Sequence, residues 1–151
     1  MVLDARATRR PWWKELADSK ILSKQTRARL SDELHTAKDA ALVDFVIASS
    51  SAAEIDTFGI KEANRMAMLR ALQELQLRKR IDQKTLAIDG NDRYAFPELD
   101  LTSDTILEYI IRGDATVKSI SAASILAKVA RDTYMVALAK TNGFYGFESH
   151  K

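Results

Sequence analysis

The chain has 151 residues, of which 46% are hydrophobic, and carries a formal net charge of +2, which suits one soluble domain with a single core. It has no cysteine and only two histidines, His35 and His150, so a disulfide framework, a thiolate zinc site and a histidine-rich metal site are excluded. No apolar run approaches a membrane span and no apolar signal core follows the first residues, so a cytoplasmic location and no membrane partner are expected.

In chain order, Met1 to Leu3 is too short for a strand unless it continues one that has been lost. Asp4 to Ala17 reads as a loop, with Pro11 breaking any helix. Arg6, Arg9, Arg10, Lys14, Lys20, Lys24, Arg27 and Arg29 crowd the first thirty residues, against Asp4, Glu15 and Asp18. Trp12 and Trp13 lie among them. Basic residues interleaved with aromatics suit a phosphate backbone and stacked bases. A solvated loop whose tryptophans pack on the core is the favoured alternative on composition.

Ser23 is placed to cap a helix running to about Thr36, with Leu30 and Leu34 on its apolar stripe. Leu42 to Ala48 is rich in β-branched and aromatic residues and predicts a strand. Ser51 and Glu54 form a capping-box pattern for a short helical turn that Gly59 breaks. Lys61 to Leu77 then has amphipathic helical spacing and ends at Arg78-Lys79-Arg80. Thr85 to Asp89 predicts a strand closed by a Gly90-Asn91 turn. Asp92 to Ser103 reads as loop and Ile106 to Ile111 as a further strand. Ser119 to about Lys140 is the longest helix, stopped at Asn142-Gly143. Strands and helices alternate, so the fold class is α/β.

Two aspartates stand out. Asp89 ends an apolar strand, and in open α/β sheets ligands gather beyond strand carboxyl ends. Asp114 follows Gly113 after the next strand and precedes the long helix. Taken singly, each is better read as local: Asp89 capping its own turn, Asp114 as a charge near a helix start. Together they suggest a divalent-metal pair, and hard oxygen ligands without sulfur point to magnesium or manganese. Ser121, Ser124, Lys128 and Arg131 share one face of the long helix and suit phosphates. The solvent side of an amphipathic helix fits them equally well. Asp132 is spaced to pair with Lys128. Core or loop packing is the favoured role for at least two of Phe144, Tyr145 and Phe147.

Several runs, in order, resemble the ribonuclease HII family: Asp18-Ser19-Lys20-Ile21-Leu22-Ser23, Glu54-Ile55-Asp56, Gly59-Ile60 to Met68, Ile88-Asp89-Gly90-Asn91, Gly113-Asp114, Ser121 to Val129, Arg131-Asp132, Tyr145-Gly146-Phe147 and His150-Lys151. Ile21 and Gly59 stand where the family usually has lysine and asparagine. Ribonuclease HIII is a neighbour in fold, but the runs at Asp18 and Asp89 favour HII.

The resemblance implies a ribonuclease H-like fold, a mixed sheet flanked by helices, with residues 1–151 forming a partial domain. It implies cleavage of RNA in RNA–DNA hybrids and at single ribonucleotides in duplex DNA, using Mn2+ or Mg2+ in a two-metal hydrolysis. Asp89 and Asp114 would be its catalytic, metal-binding carboxylates. Ser19, Lys20, Ser121, Ser124 and Lys128 would meet nucleic acid.

The family's Asp-Glu-x-Gly-Arg-Gly motif and its Gly-Tyr tail have no counterpart here, so the chain reads as truncated at both ends and missing its first strand. An incomplete metal site, weak or absent activity and self-association through an exposed sheet edge are therefore expected. The alternatives are a non-catalytic nucleic-acid-binding remnant using Arg9, Arg10, Lys20 and Lys128, or an interaction protein completed by another chain.

Overall fold

The computed structural model describes residues 1–78, 85–99 and 105–149. The N-terminal segment is more ordered than its sequence suggests. Strand β1 (Val2–Leu3) is followed by a 3-10 turn at Ala5–Arg9, whose Arg6 amide donates to the Asp4 carboxylate at 2.8 Å. Pro11 does not break a helix but starts one, α1 (Pro11–Glu15). At the first helical position proline loses no intrahelical hydrogen bond and its φ is already set. Trp12 is buried and Trp13 packs on the same core, so the tryptophans serve packing.

Helix α2 (Lys24–Asp39) begins at Ser23, whose hydroxyl accepts from the Thr26 amide at 3.0 Å. It buries Leu30, Leu34 and Ala37. The strand expected over 42–48 is paired only at β2 (Val43–Asp44), antiparallel to β1 in the register Leu3↔Val43. A strand extends only as far as its partner, and β1 offers two residues.

Helix α3 (Ala52–Leu77) carries the expected capping box, Ser51 with Glu54. Gly59 is non-helical (φ 78°, ψ 159°) and, as expected, breaks the run into two helical pieces that meet at a kink. The run closes at Arg78; Lys79 and Arg80 lie outside the described residues, as do residues 100–103 of the expected loop and the closing His150-Lys151.

Strands β3 (Thr85–Asp89) and β4 (Ile106–Ile110) pair in parallel, with Asp89 opposite Ile110. Arg112 then turns the chain in the left-handed region (φ 56°) into the short helix α4 (Gly113–Thr116), and α5 (Lys118–Thr141) follows. Asn142 ends α5, and 3-10 turns at Gly143–Tyr145 and Phe147–Ser149 close the described chain. Phe144 is 94% exposed and Tyr145 62%, so neither joins the core. They pack within the loop: Phe144 meets Tyr145 edge to face, and Tyr145 stacks on Phe147.

The result is a mixed α/β architecture with antiparallel and parallel pairs in two separate two-stranded sheets. One core unites α1, α2, β2 and α5 around Leu16, Leu30, Leu34 and Ile125. A second gathers Ile88, Tyr94, Phe96 and Leu99 under α3. Between them runs a groove of about 420 Å³, lined by Phe45–Ala48, one side of α3, β3 and the start of α5. A second recess separates β1 from the first residues of β3. Among the described residues, no helix is long and apolar enough to cross a membrane.

Candidate functional site

The candidate site forms where three segments meet: the ends of β3 and β4, the start of α5, and the loop before α2. Sequence predicts Asp89 as a buried strand-end carboxylate. It does end β3, but it is exposed, while its neighbour Ile88 is buried. Its role is also not to cap its own turn. Asp89 Oδ1 accepts from the Gly113 amide at 2.8 Å, tying the end of β3 to the turn after β4. Gly90 completes the junction, its amide donating to Ile110 O at 2.9 Å with φ at 98°.

Asp114 sits one residue further, in the first turn of α4 rather than at a strand end. It is 5% exposed. A buried carboxylate is costly unless compensated, and two features compensate it. Its charge lies at a helix N-terminus, where the dipole favours anions. The Lys20 ammonium donates to Asp114 Oδ2 at 3.1 Å. Behind it, the Ser121 hydroxyl donates to the Asp114 carbonyl at 2.6 Å and lies near Val117 O at 3.1 Å. Gly113 is kept small by this packing: a Cβ there would meet Ile120 Cδ1 at 2.6 Å and Asp89 Oδ1 at 3.3 Å.

Lys20 reaches the aspartates because its loop is pinned. Asp18 accepts from the Lys20 amide at 2.8 Å, a side-chain-made turn. Ser19 is buried, and its hydroxyl shares a 3.0 Å hydrogen bond with that of Ser124 on α5. Arg27, from α2, donates to Ser19 O at 2.9 Å and Leu22 O at 2.6 Å. Arg27 also lies 3.8 Å from Asp132, which accepts from Lys128 at 2.8 Å. Lys118 holds the preceding stretch, donating to Leu16 O at 2.6 Å. The ammonium of Lys20 is held above the ordinary lysine range, first by its hydrogen bond to Asp114, then by the charges of Asp114, Asp18 and Asp89. Its charge therefore faces both aspartates.

All seven sequence-predicted residues thus fall on one surface and its supports. Asp89, Asp114 and Lys20 converge. Ser19 and Ser124 bond to each other. Ser121 is 1% exposed, turned inward against Asp114. Lys128 stands further along α5, in its pair with Asp132. The serine face of α5 is consequently packed, not the solvent side of an amphipathic helix. Asp132 is more than the exposed partner of Lys128, being 7% exposed and shared with Arg27. Sequence reading passed over Arg27 and Lys118 as site-building residues. A basic residue at helical position four after an N-cap carries no local sign that it will clamp the loop before it.

The chemistry of the donor set fits a hard divalent cation. Asp89 and Asp114 present carboxylate oxygens across a single amide link, and Asp89 Oδ2 and Asp114 Oδ1 accept no hydrogen bond among the described residues. The set is small. Among the described residues no group of three or more carboxylate, imidazole or thiolate side chains is placed to hold an ion. A six-coordinate ion here would take its remaining ligands from water, substrate or further polypeptide.

The chain is similar to known proteins throughout this region. The family model described as ribonuclease HII matches residues 13–151. Ribonuclease HII of Burkholderia thailandensis is 46% identical over 136 residues, covering 89% of this chain and 56% of that protein. Ribonuclease HII 2 of Methylibium petroleiphilum is 43% identical over 136 residues, covering 90% and 56%. Ribonuclease HII of Nitrosomonas europaea is 42% identical over 136 residues, also covering 90% and 56%. The chain spans about half the length of these curated relatives. The mixed α/β architecture is consistent with a ribonuclease H-like fold, and both aspartates, the Lys20 loop and the serine face of α5 lie inside the matched residues. On these grounds the chain belongs to the ribonuclease HII family.

Proposed function

We propose that this chain carries part of the active site of a metal-dependent endonuclease that cleaves RNA in RNA–DNA hybrids and at single ribonucleotides in duplex DNA. The observation that supports it is the convergence of Asp89, Asp114 and Lys20 within the span matched by the family. Asp89 and Asp114 would hold Mg2+ or Mn2+. When bound, the metal supplies an activated water and a counter-charge for the departing 3′ oxygen. The chain's own groups do the rest. Lys20 offers a cationic donor to the phosphate backbone, while the Ser19–Ser124 hydroxyl pair and the Lys128–Asp132 pair build the surface beneath it. Ser121 fixes the Asp114 backbone, and Gly113 holds the Asp89 carboxylate in place. The 2′-hydroxyl would be the feature that separates RNA from DNA. A cytoplasmic setting accords with this substrate.

The test is cleavage of a labelled DNA duplex containing one ribonucleotide, with Mn2+ or Mg2+, beside an Asp89→Asn control. Cleavage 5′ of the ribonucleotide that the control abolishes supports the reading. No cleavage from folded protein overturns it for the chain alone.

Two observations favour secondary readings. With only two carboxylates gathered among the described residues, binding without cleavage is the next best function. It would appear as salt-dependent duplex affinity that needs no metal. The apolar groove between the two sheets presents the free sides of β1 and β3, a surface that an added strand would complete. Self-association through that edge would show as concentration-dependent mass in sedimentation equilibrium.

A further inference from the structure

The cation at the aspartate pair is supplied by the protein itself. Lys20 Nζ sits 3.1 Å from Asp114 Oδ2, and its charge is also felt by Asp89. Its side chain is 77% exposed, while Asp114's is 7% exposed. The anion is therefore fixed and the cation is free to leave. The backbone that carries the lysine is held independently of its ammonium, by the Ser19–Ser124 hydroxyl pair, the Arg27 bonds to Ser19 O and Leu22 O, and the Asp18 turn. Moving the ammonium requires only rotation of a flexible four-carbon stem.

We propose that the Lys20 ammonium occupies the position of a divalent cation at Asp114, and that an ion and the ammonium compete for that carboxylate. The proposal rests on the reading of Asp89 and Asp114 as metal ligands and adds what happens to Lys20. A dication on the Asp114 carboxylate would stand within a few ångströms of the ammonium at Oδ2, and like charges that close repel strongly. The ammonium is the solvent-screened member of the pair, so it holds Asp114 weakly, and a dication with carboxylate and water ligands displaces it. The freed ammonium then stands at the rim of the site on a pinned loop, where a phosphate oxygen is its best remaining partner. Metal binding and phosphate binding become linked through one side chain: occupancy by either favours the other. In the metal-free chain Lys20 keeps the buried carboxylate neutralised.

The experiment is Mn2+ binding to the whole chain, read from the electron paramagnetic resonance signal of the free ion, for the wild type, Lys20→Met and Asp114→Asn. Circular dichroism checks that each variant is folded. Removing the competing ammonium is expected to tighten Mn2+ binding roughly fivefold, the scale of an exposed ion pair. A second readout follows the Lys20 Cε–Hε resonance in 13C-labelled protein as diamagnetic Mg2+ is added. It is expected to move to the position it has in Asp114→Asn without metal. Mn2+ binding that is unchanged or weakened in Lys20→Met, or a Lys20 resonance unmoved at saturating Mg2+, overturns the proposal. The Asp114→Asn arm separates the two levels. If it loses Mn2+ affinity while Lys20→Met does not gain any, only the competition fails. If Asp114→Asn binds as the wild type does, the metal reading fails with it.

Discussion

The half of the molecule built on α2 and α5 and the half built on α3, β3 and β4 bury their apolar side chains to different depths. In the first, Leu30, Leu34, Ala122 and Ile125 are completely inaccessible. In the second, Ala63 and Leu75 of α3 are 1% and 3% exposed, but the cluster of Ile88, Tyr94, Phe96 and Leu99 keeps 4–7% of its surface, and the groove opens beside it. The contrast follows from how each element satisfies its backbone. Helices complete their hydrogen bonds internally, so a helical core closes once its apolar stripes meet. A two-stranded sheet leaves edges and a face that need further polypeptide. The candidate site lies on the boundary: Lys20, Ser19 and Ser124 come from the closed half, Asp89 and Gly113 from the open one.

The comparison is broken most directly by truncating each half. Leu34→Ala is expected to cost about 3 kcal/mol in urea unfolding, because a fully enclosed leucine leaves a cavity its neighbours cannot fill. Met68→Ala, beside the groove, is expected to cost about 1 kcal/mol. Equal losses would mean the two halves are equally tight. Next in size is Arg27→Met, expected to cost about 2 kcal/mol through lost charged hydrogen bonds and a weakened Asp132. It should also shift the amide resonances of Ser19 and Lys20. Unmoved resonances would show that the loop is held without it.

Gly113→Ala probes the boundary itself. The added methyl would press on Ile120 and Asp89, with an expected loss of about 1 kcal/mol and weaker Mn2+ binding. A variant with wild-type metal affinity would uncouple Asp89 from the β4–α4 turn. The smallest effect concerns the capped start of α3. The Glu54 carboxyl is lowered from its ordinary 4.5 to about 2, chiefly by its hydrogen bond to Arg70 and then by the Ser51 amide. A depressed acid stabilises the fold above its unfolded value and loses that contribution as pH falls through its folded one. Glu54→Gln should therefore flatten the acid decline of the urea midpoint between pH 4.5 and about 2. An identical decline would place that sensitivity elsewhere.

Local signals were legible where local physics decides. Ser23, Ser51 with Glu54, the span of β3 and the Gly59 break each rest on a few adjacent residues, and each appears in the structure. Reading failed where a distant partner decides. The run from Leu42 to Ala48 has strand composition throughout but finds a partner for two residues only. Pro11 looked like a breaker because its role as a helix start depends on the chain before it. Of the site, the aspartates and the Lys20 loop were visible by family resemblance. The bond from Gly113 to Asp89 and the Arg27 clamp were not, because both join residues whose neighbours in sequence say nothing of each other.

The long sequence span of the tight core also sets an order in time. The tight core joins α1, α2 and β2 to Ala122, Ile125 and Leu126 of α5, and the loop around Ser19 is fastened to Ser124, 105 residues later. Contacts of such long range carry a large loop-closure cost and form slowly. During synthesis α2 would leave the ribosome with its apolar stripe uncovered and wait for almost the entire chain before α5 could cover it. At about 5–20 residues per second that interval lasts many seconds. The half that is finally the most tightly closed is therefore the one that closes last.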